Sequence, residues 1–145
     1  MFASTYAMSP SVAARSSGMY QQVGVESGLS AASPHRLVAM LFDGWMESVA
    51  QARGALRSGD IATKGRAIGR AVRIVDEGLR AALNLQGGGT LARDLNDLYG
   101  YLTQRLTQAN LRNDDEALAE CQRLMRPLQE AWTAIGAGAG AEARP

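Results

Sequence analysis

The sequence holds one histidine and one cysteine, and neither has the partners that catalysis or metal binding would require. A lone thiol and a lone imidazole cannot complete a zinc site, and Cys121 has no second cysteine for an intramolecular disulfide. His35 could instead carry a phosphoryl group. Histidine phosphotransfer domains are four-helix bundles, and the helical periodicity described below predicts the same architecture for this chain. Those domains typically place a lysine three residues after the histidine, whereas Val38 stands there in this chain. A phosphotransfer or regulatory four-helix bundle signalling through His35 is the alternative function.

Two other features could bind an anion, and each has a simpler structural explanation. The glycine run at 87–89 follows no strand and lacks the Lys-Ser/Thr of a phosphate loop, so it predicts a turn. In the predicted helix over residues 61–85, four arginines lie opposite the apolar residues: Arg66, Arg70, Arg73 and Arg80. The favoured interpretation is that they form a solvated face of this helix. A DNA-associated helical protein using that face is a further alternative. Since no nucleophile–base pair or carboxylate pair emerges, we expect no enzyme activity, no cofactor and no metal.

Charge and hydropathy exclude several classes of protein. The 145 residues fit one domain, and 15 Lys plus Arg against 14 Asp plus Glu argue against a nucleic-acid partner. The longest strongly apolar run, residues 37–42, is far shorter than the ~20 residues that a membrane span needs. Residues 1–17 have no continuous apolar stretch of the kind found in signal peptides. We therefore expect a cytoplasmic protein that does not insert into a membrane.

Apolar residues recur at three- and four-residue steps in four segments, which predicts helices over 34–57, 61–85, 90–111 and 114–135. Capping residues support these boundaries. Ser33 before Pro34 is typical of a helix start, and Gly59 before Asp60 is typical of a helix end followed by a new cap. Asn113, three residues before a glutamate, resembles the cap of a capping box.

The connections between these helices are only a few residues long, so consecutive helices must run antiparallel. The predicted fold is all-α, an antiparallel up-down four-helix bundle with a short N-terminal helical cap or arm. No segment shows the period-two alternation of a strand. Pro127 lies inside the fourth predicted helix, where a proline should bend the helix at a cost of ~3 kcal/mol unless packing compensates.

The chain divides into three parts by composition. Residues 1–32 are rich in Ser, Ala and Gly, and they predict a flexible arm whose short docking element contains Tyr20 and Val23. Residues 33–135 form the bundle. Residues 136–145 hold a Gly-Ala repeat without a large apolar side chain, which predicts a disordered tail.

Three of the predicted helices carry more apolar surface than a bundle seam requires. The extra residues lie beside the core stripes of the first, third and fourth helices: Phe42, Met46, Tyr99, Tyr101, Leu111, Leu118, Met125 and Trp132. These arcs either pack against each other and the N-terminal arm, or they line a groove for a partner helix. Methionine and tyrosine are common on adaptable helix-binding surfaces, so we take these eight residues as the candidate partner groove.

The sequence resembles the flagellar export chaperone FliS family, whose members bind flagellin in the bacterial cytoplasm. The matching segments occur in order over residues 20–135: YQQV at 20–23, ASPHRL at 32–37, MLFDG at 40–44, GD at 59–60, GG at 87–88, LYGYL at 98–102, ANLRND at 109–114 and EAW at 130–132. The chain departs from the family pattern in its longer arm, in Phe42 where tyrosine is common, in Gly100 where a polar residue is usual, and in Pro127.

The resemblance implies an antiparallel helical bundle around which the disordered C-terminal segment of flagellin wraps as separate helices in apolar grooves. It also implies that the arm covers part of this surface, and that Tyr20 helps to dock the complex to a component of the export gate. We expect Tyr99→Asp or Phe42→Asp to weaken client binding while leaving the fold intact. Removing residues 1–30 should leave client binding unchanged or stronger. The sequence leaves open whether the protein is a monomer or a homodimer.

Overall fold

The computed structural model describes the backbone of residues 33–143 and the side chains as far as residue 136. Within these described residues, four α-helices follow one another: α1 (Pro34–Ser58), α2 (Ile61–Arg73), α3 (Gly89–Arg112) and α4 (Asp115–Ala143). These residues contain no strand, and none of their helices is long and apolar enough to cross a bilayer. The all-α prediction is confirmed. Tyr20 and Val23 lie outside the described residues.

Contacts between the helix ends show that α1 runs antiparallel to α4, and that α2 runs antiparallel to α3. The start of α1 meets the end of α4 through His35 and Trp132, and the end of α1 meets the start of α4 through Arg53 and Asp115. Lys64, near the start of α2, donates from Nζ to the carbonyl oxygen of Asn110 near the end of α3. The main contacts of α1 are with α2 and α4, and α3 packs between α2 and α4, as in an up-down bundle.

Capping at the helix boundaries agrees with the sequence at three positions and differs at one. The Ser33 hydroxyl accepts from the Arg36 amide, Asp60 accepts from the Thr63 amide, and Gly59 is left-handed with φ of 80°. Asn113 is not the cap of α4, because it ends α3 in a left-handed conformation with φ of 53°. The carboxylate of Asp114 caps α4 instead, accepting from the amides of Glu116 and Ala117.

The second predicted helix is not α-helical throughout. After α2 the chain continues as a π-helical segment, Ile74–Leu79, in which the Arg80 amide donates to the carbonyl oxygen of Val75. A short 3₁₀ turn, Leu83–Gln86, then leads to α3. A π-turn takes in an extra residue per turn, and Ile74, Val75 and Leu79 are all fully buried in this segment.

The last helix is longer than the sequence predicts, because α4 continues to Ala143 and overlaps the expected tail at 136–145. Pro127 lies inside α4, as predicted, and the helix continues on both sides of it. Alanine, the strongest helix former, alternates with the glycines at 136, 138 and 140 in this last part of α4. The division into arm, bundle and tail stays a prediction.

Candidate functional site

Six of the eight predicted groove residues are buried in the core, while the other two are exposed. Phe42, Met46, Tyr99, Leu118, Met125 and Trp132 all belong to the buried apolar cluster. The wide apolar arcs therefore pack largely against neighbouring helices. This is the first of the two alternatives that the sequence left open, the second being a groove for a partner helix. Tyr101 is 42% exposed and Leu111 is 79% exposed. Contact between a partner and any of these eight residues stays a prediction. The six buried residues can contact a partner only where they line an opening in the surface.

Such an opening lies between α3 and α4, near the start of α3. We call it the α3–α4 groove, a cavity of about 120 Å³ lined by Phe42, Gln86, Leu91, Leu95, Leu128, Ala131, Trp132 and Ile135. Its lining side chains are apolar except for Gln86 and the indole nitrogen of Trp132. Two of the large side chains at its rim are half exposed, Leu91 at 51% and Ile135 at 59%. Of the predicted groove residues, Phe42 and Trp132 line it.

The apolar surface extends from the groove along the seam between α3 and α4. The Tyr101 hydroxyl donates to Glu120 at 2.5 Å, which places these positions side by side on antiparallel helices. By the same register Leu124, which is 37% exposed, lies one turn closer to the groove. From Leu91 to Tyr101 the seam is about 15 Å long at 1.5 Å per residue, which is the length of about three turns of a docked helix.

A charged cluster closes the seam at its far end. Arg105 Nε donates to Glu120 Oε1 at 2.7 Å, and the Tyr101 hydroxyl donates to the other carboxylate oxygen. The hydrogen bond from Tyr101, followed by that from Arg105, holds the pKa of Glu120 below its usual value. The hydrogen bond to Glu120 also raises the pKa of Tyr101. Glu120 therefore stays ionised, and it forms a polar border to the apolar seam.

Behind the groove, His35 and Trp132 join the start of α1 to the later part of α4 at one end of the bundle. Their rings stack at 4.5 Å between centroids with an interplanar angle of 5°. His35 Nε2 lies 2.6 Å from the Trp132 carbonyl oxygen, and Trp132 Nε1 donates to the His35 carbonyl oxygen at 2.9 Å. The Nε2 atom must carry the proton to bond a carbonyl oxygen. The imidazole is thus half-buried and held in a structural contact, and this arrangement gives no support to phosphotransfer.

A pair of glycines in helices offers a test of the His35–Trp132 contact. A Cβ atom on Gly136 would lie 1.9 Å from a carbon of the His35 ring, whereas a Cβ atom on Gly69 meets nothing within 4 Å. We expect Gly69→Ala to stabilise the protein by ~1 kcal/mol through helix propensity. Gly136→Ala should instead displace the ring and lower the free energy of unfolding by ~1 kcal/mol, because the stack and its hydrogen bonds are lost.

Urea unfolding followed by circular dichroism measures both substitutions against the wild-type chain. Tryptophan fluorescence of native Gly136→Ala should also change, because the indole of Trp132 would lose its stacked neighbour. Equal stabilisation by Gly69→Ala and Gly136→Ala would contradict the close contact between Gly136 and His35.

Gln86 was missed by sequence reasoning, although it is a buried polar residue of the groove. It lies at the end of the 3₁₀ turn, and its Nε2 donates to the Tyr99 hydroxyl at 2.6 Å. Burial raises the pKa of Tyr99 to about 12, so that the phenol stays protonated. A glutamine just before a glycine run gives no periodic signal of burial, since helical periodicity ends there. Only the three-dimensional structure shows that Gln86 lies in the groove.

The arginine face of α2 is partly engaged within the protein. Arg66 donates to the Thr63 hydroxyl, and Arg70 donates to the buried hydroxyl of Ser48 at 2.6 Å. Arg80, beyond the π-helical segment, donates to Asn96. Among the described residues, no group of three or more His, Cys, Asp or Glu side chains could hold a metal ion.

Cys121 is fully buried on α4, and its thiol faces the Leu102 carbonyl oxygen with Sγ at 3.8 Å. Burial raises the pKa of the Cys121 thiol to about 12. Because the thiolate is the reactive form, we expect no labelling by a water-soluble disulfide reagent at pH 8 in the native state and complete labelling in urea. Native labelling as fast as that of the unfolded chain would contradict the buried position.

Comparison with known proteins agrees with this geometry. A family model described as "Flagellar protein FliS" matches residues 16–139. The chain belongs to the FliS family. The flagellar secretion chaperone FliS of Salmonella typhimurium is 47% identical over 116 residues, which cover 80% of this chain and 86% of the relative. FliSB of Pseudomonas aeruginosa is 44% identical over 116 residues, with coverage of 80% and 91%. FliS of Bacillus subtilis is 31% identical over 113 residues, with coverage of 78% and 80%.

These relatives are named flagellar secretion chaperones, and their similarity covers between 78% and 80% of this chain. The family assignment made from the sequence segments is confirmed. The α3–α4 groove lies inside the matched region, which makes it the candidate functional site of this family member.

Proposed function

We propose that this chain is a cytoplasmic export chaperone for flagellin in bacteria. In this proposal it binds the disordered C-terminal segment of flagellin, prevents premature polymerisation and delivers the segment to the flagellar type III export apparatus. Membership of a family whose relatives are named flagellar secretion chaperones supports the function. The C-terminal segment of flagellin is named as the client because the family resemblance implies it. The protein performs no catalytic step in this role.

The observation that carries the proposal is the open apolar α3–α4 groove. Leu91 and Ile135 are half exposed at its rim, although large apolar side chains are usually buried. An amphipathic helix laid along the seam would remove them from water, as in other complexes where a helix docks in a groove. A seam about 15 Å long offers room for about three helical turns of the client.

The proposed mechanism is competition for apolar surface. Flagellin termini polymerise by packing amphipathic helices against each other, as the family resemblance implies. A chaperone that covers one apolar helix face blocks this packing and leaves the rest of the client segment extended for export. Folding on binding costs the client ~2–5 kcal/mol, so a tight complex needs more contact area than the groove alone. Leu111, 79% exposed at the far end of α3, is a candidate for a second contact.

The N-terminal arm has two proposed roles. Tyr20 and Val23 would cover part of the client surface in the free chaperone and dock the loaded complex to the export gate. The arm enters α1 at Ser33, two residues from His35, which contacts Trp132 of the groove. A covering arm can therefore reach the groove, and chains lacking residues 1–30 should bind the client equally or more tightly.

Isothermal titration calorimetry tests the proposal with the full chain and the C-terminal ~50 residues of flagellin from the same organism. We expect a one-to-one complex with a Kd at or below ~1 μM. Titration at two temperatures should give a large negative heat-capacity change, because apolar surface is buried. Absence of heat at both temperatures together with absence of co-elution would refute the proposal, and phosphorylation of His35 would then be tested.

A further inference from the structure

The α3–α4 groove contains a buried polar group with an unmet hydrogen bond. Gln86 is only 7% exposed, and it lines the groove among apolar side chains. Its Nε2 donates to the Tyr99 hydroxyl, while its Oε1 has no hydrogen-bond partner among the described residues. A buried acceptor without a partner destabilises a protein. Because the Gln86 side chain that carries this acceptor lines the groove, the unmet hydrogen bond points to a ligand that completes it.

We propose that Gln86 is a specificity-determining residue that pairs with a side-chain carboxamide, of asparagine or glutamine, inserted by the client helix. This inference rests on the proposed function, and it deepens it by naming the chemical group that the groove recognises. A carboxamide has two N–H donors and one acceptor oxygen. Tyr99 engages one donor of Gln86, which leaves one N–H and Oε1 for the client.

A second carboxamide matches this remaining donor and acceptor. Two amides placed head to tail exchange two N–H···O bonds, so that both the Gln86 oxygen and the client oxygen gain a partner. The hydrocarbon stem of the client side chain would lie against the apolar walls formed by Leu95 and Leu128.

Other client side chains fit the groove less well. A purely aliphatic side chain would fill the cavity of about 120 Å³ but leave Oε1 of Gln86 unpaired. A charged side chain would lose its hydration without a counter-charge, since none of the residues that line the groove is ionised. The groove is therefore selective for an amide that occurs among the apolar residues of an amphipathic helix.

A double-mutant cycle measured by calorimetry tests this pairing. The full chain and its Gln86→Met variant are titrated with the flagellin C-terminal segment, in which each Asn is changed to Leu and each Gln to Met, one at a time. With the wild-type chain, one of these changes should weaken binding about tenfold, because a buried hydrogen-bonding group loses its partner. With Gln86→Met the same change should have little effect, because replacing both partners by apolar groups is nearly neutral.

Two further variants keep the test decisive. Leu128→Met alters the same groove without changing a polar group, and it should leave the tenfold effect of the client change intact. Urea unfolding checks that Gln86→Met is folded. If it is not, Tyr99→Phe replaces it in the cycle, because losing the hydroxyl releases the Gln86 amide and should reduce the effect of the same client change.

The outcomes separate this pairing from the proposed function. Tight binding of the unmodified segment, with no client amide coupled to Gln86 or to Tyr99, would overturn the pairing and leave the chaperone function standing. No binding of the unmodified segment to the wild-type chain would refute the proposed function and the pairing together.

Discussion

Aspartate at Leu91 or Ile135 is expected to weaken binding of the flagellin C-terminal segment at least tenfold, and about a hundredfold when both are replaced. Both side chains are half exposed at the rim of the α3–α4 groove, so a docked helix would bury them. The substitution removes the gain from apolar burial and requires a carboxylate to lose water in the complex. Calorimetry with the full chain and the C-terminal ~50 residues of flagellin measures the change in Kd.

The fold should survive these changes, because exposed substitutions usually alter stability by within ~0.5 kcal/mol. Ile61→Asp is the matched control, since Ile61 is 50% exposed at the first position of α2 and does not line the groove. It should bind the segment with the wild-type Kd. Leu111→Asp examines the proposed second contact. Wild-type affinity of the Leu91→Asp, Ile135→Asp double variant would place the client elsewhere on the bundle.

Most of the fold could be predicted because the local signals were redundant. Around Ser33 and Gly59, capping chemistry and apolar periodicity mark the same boundaries, and the structure shows the same hydrogen bonds. The end of the second helix could not be predicted, since the π-helical segment Ile74–Leu79 depends on which side chains the neighbouring helices bury. Asn113 and Asp114 are both good caps, and only backbone conformation decides which of them begins α4.

The candidate site was less predictable, for a physical reason. Periodicity shows that an arc is apolar, but it does not show whether a neighbouring helix covers the arc. Tyr99 and Tyr101 have the same chemistry two positions apart, yet one is fully buried and the other is 42% exposed. Gln86 has no apolar signal at all, and its place in the groove depends on a turn that brings it to Tyr99. Exposure is therefore decided by packing between helices, which a single sequence does not record.

Burial reverses one expectation from the sequence, namely that Tyr99→Asp or Phe42→Asp leaves the fold intact, because Tyr99 is 0% exposed and Phe42 is 2% exposed. Tyr99 is fully buried, and its hydroxyl accepts from Gln86. Aspartate there would leave a cavity, bury a carboxylate and remove the only partner that the Gln86 amide has among the described residues. We expect a loss of at least ~4 kcal/mol in the free energy of unfolding, from the cost of truncating a large buried aromatic and of burying a charge.

Urea unfolding followed by far-ultraviolet circular dichroism measures this loss, which is a large part of the ~5–15 kcal/mol typical of a whole domain. Two variants isolate its cause. Tyr99→Phe keeps the ring and loses only the hydroxyl, so it should cost ~1 kcal/mol. Tyr101→Asp places the same carboxylate on an exposed position of the same helix, and it should cost less than ~1 kcal/mol. A Tyr99→Asp chain as stable as Tyr101→Asp would show that Tyr99 faces solvent. It would then belong to the client surface, as its position on the margin of the α3 apolar stripe predicts.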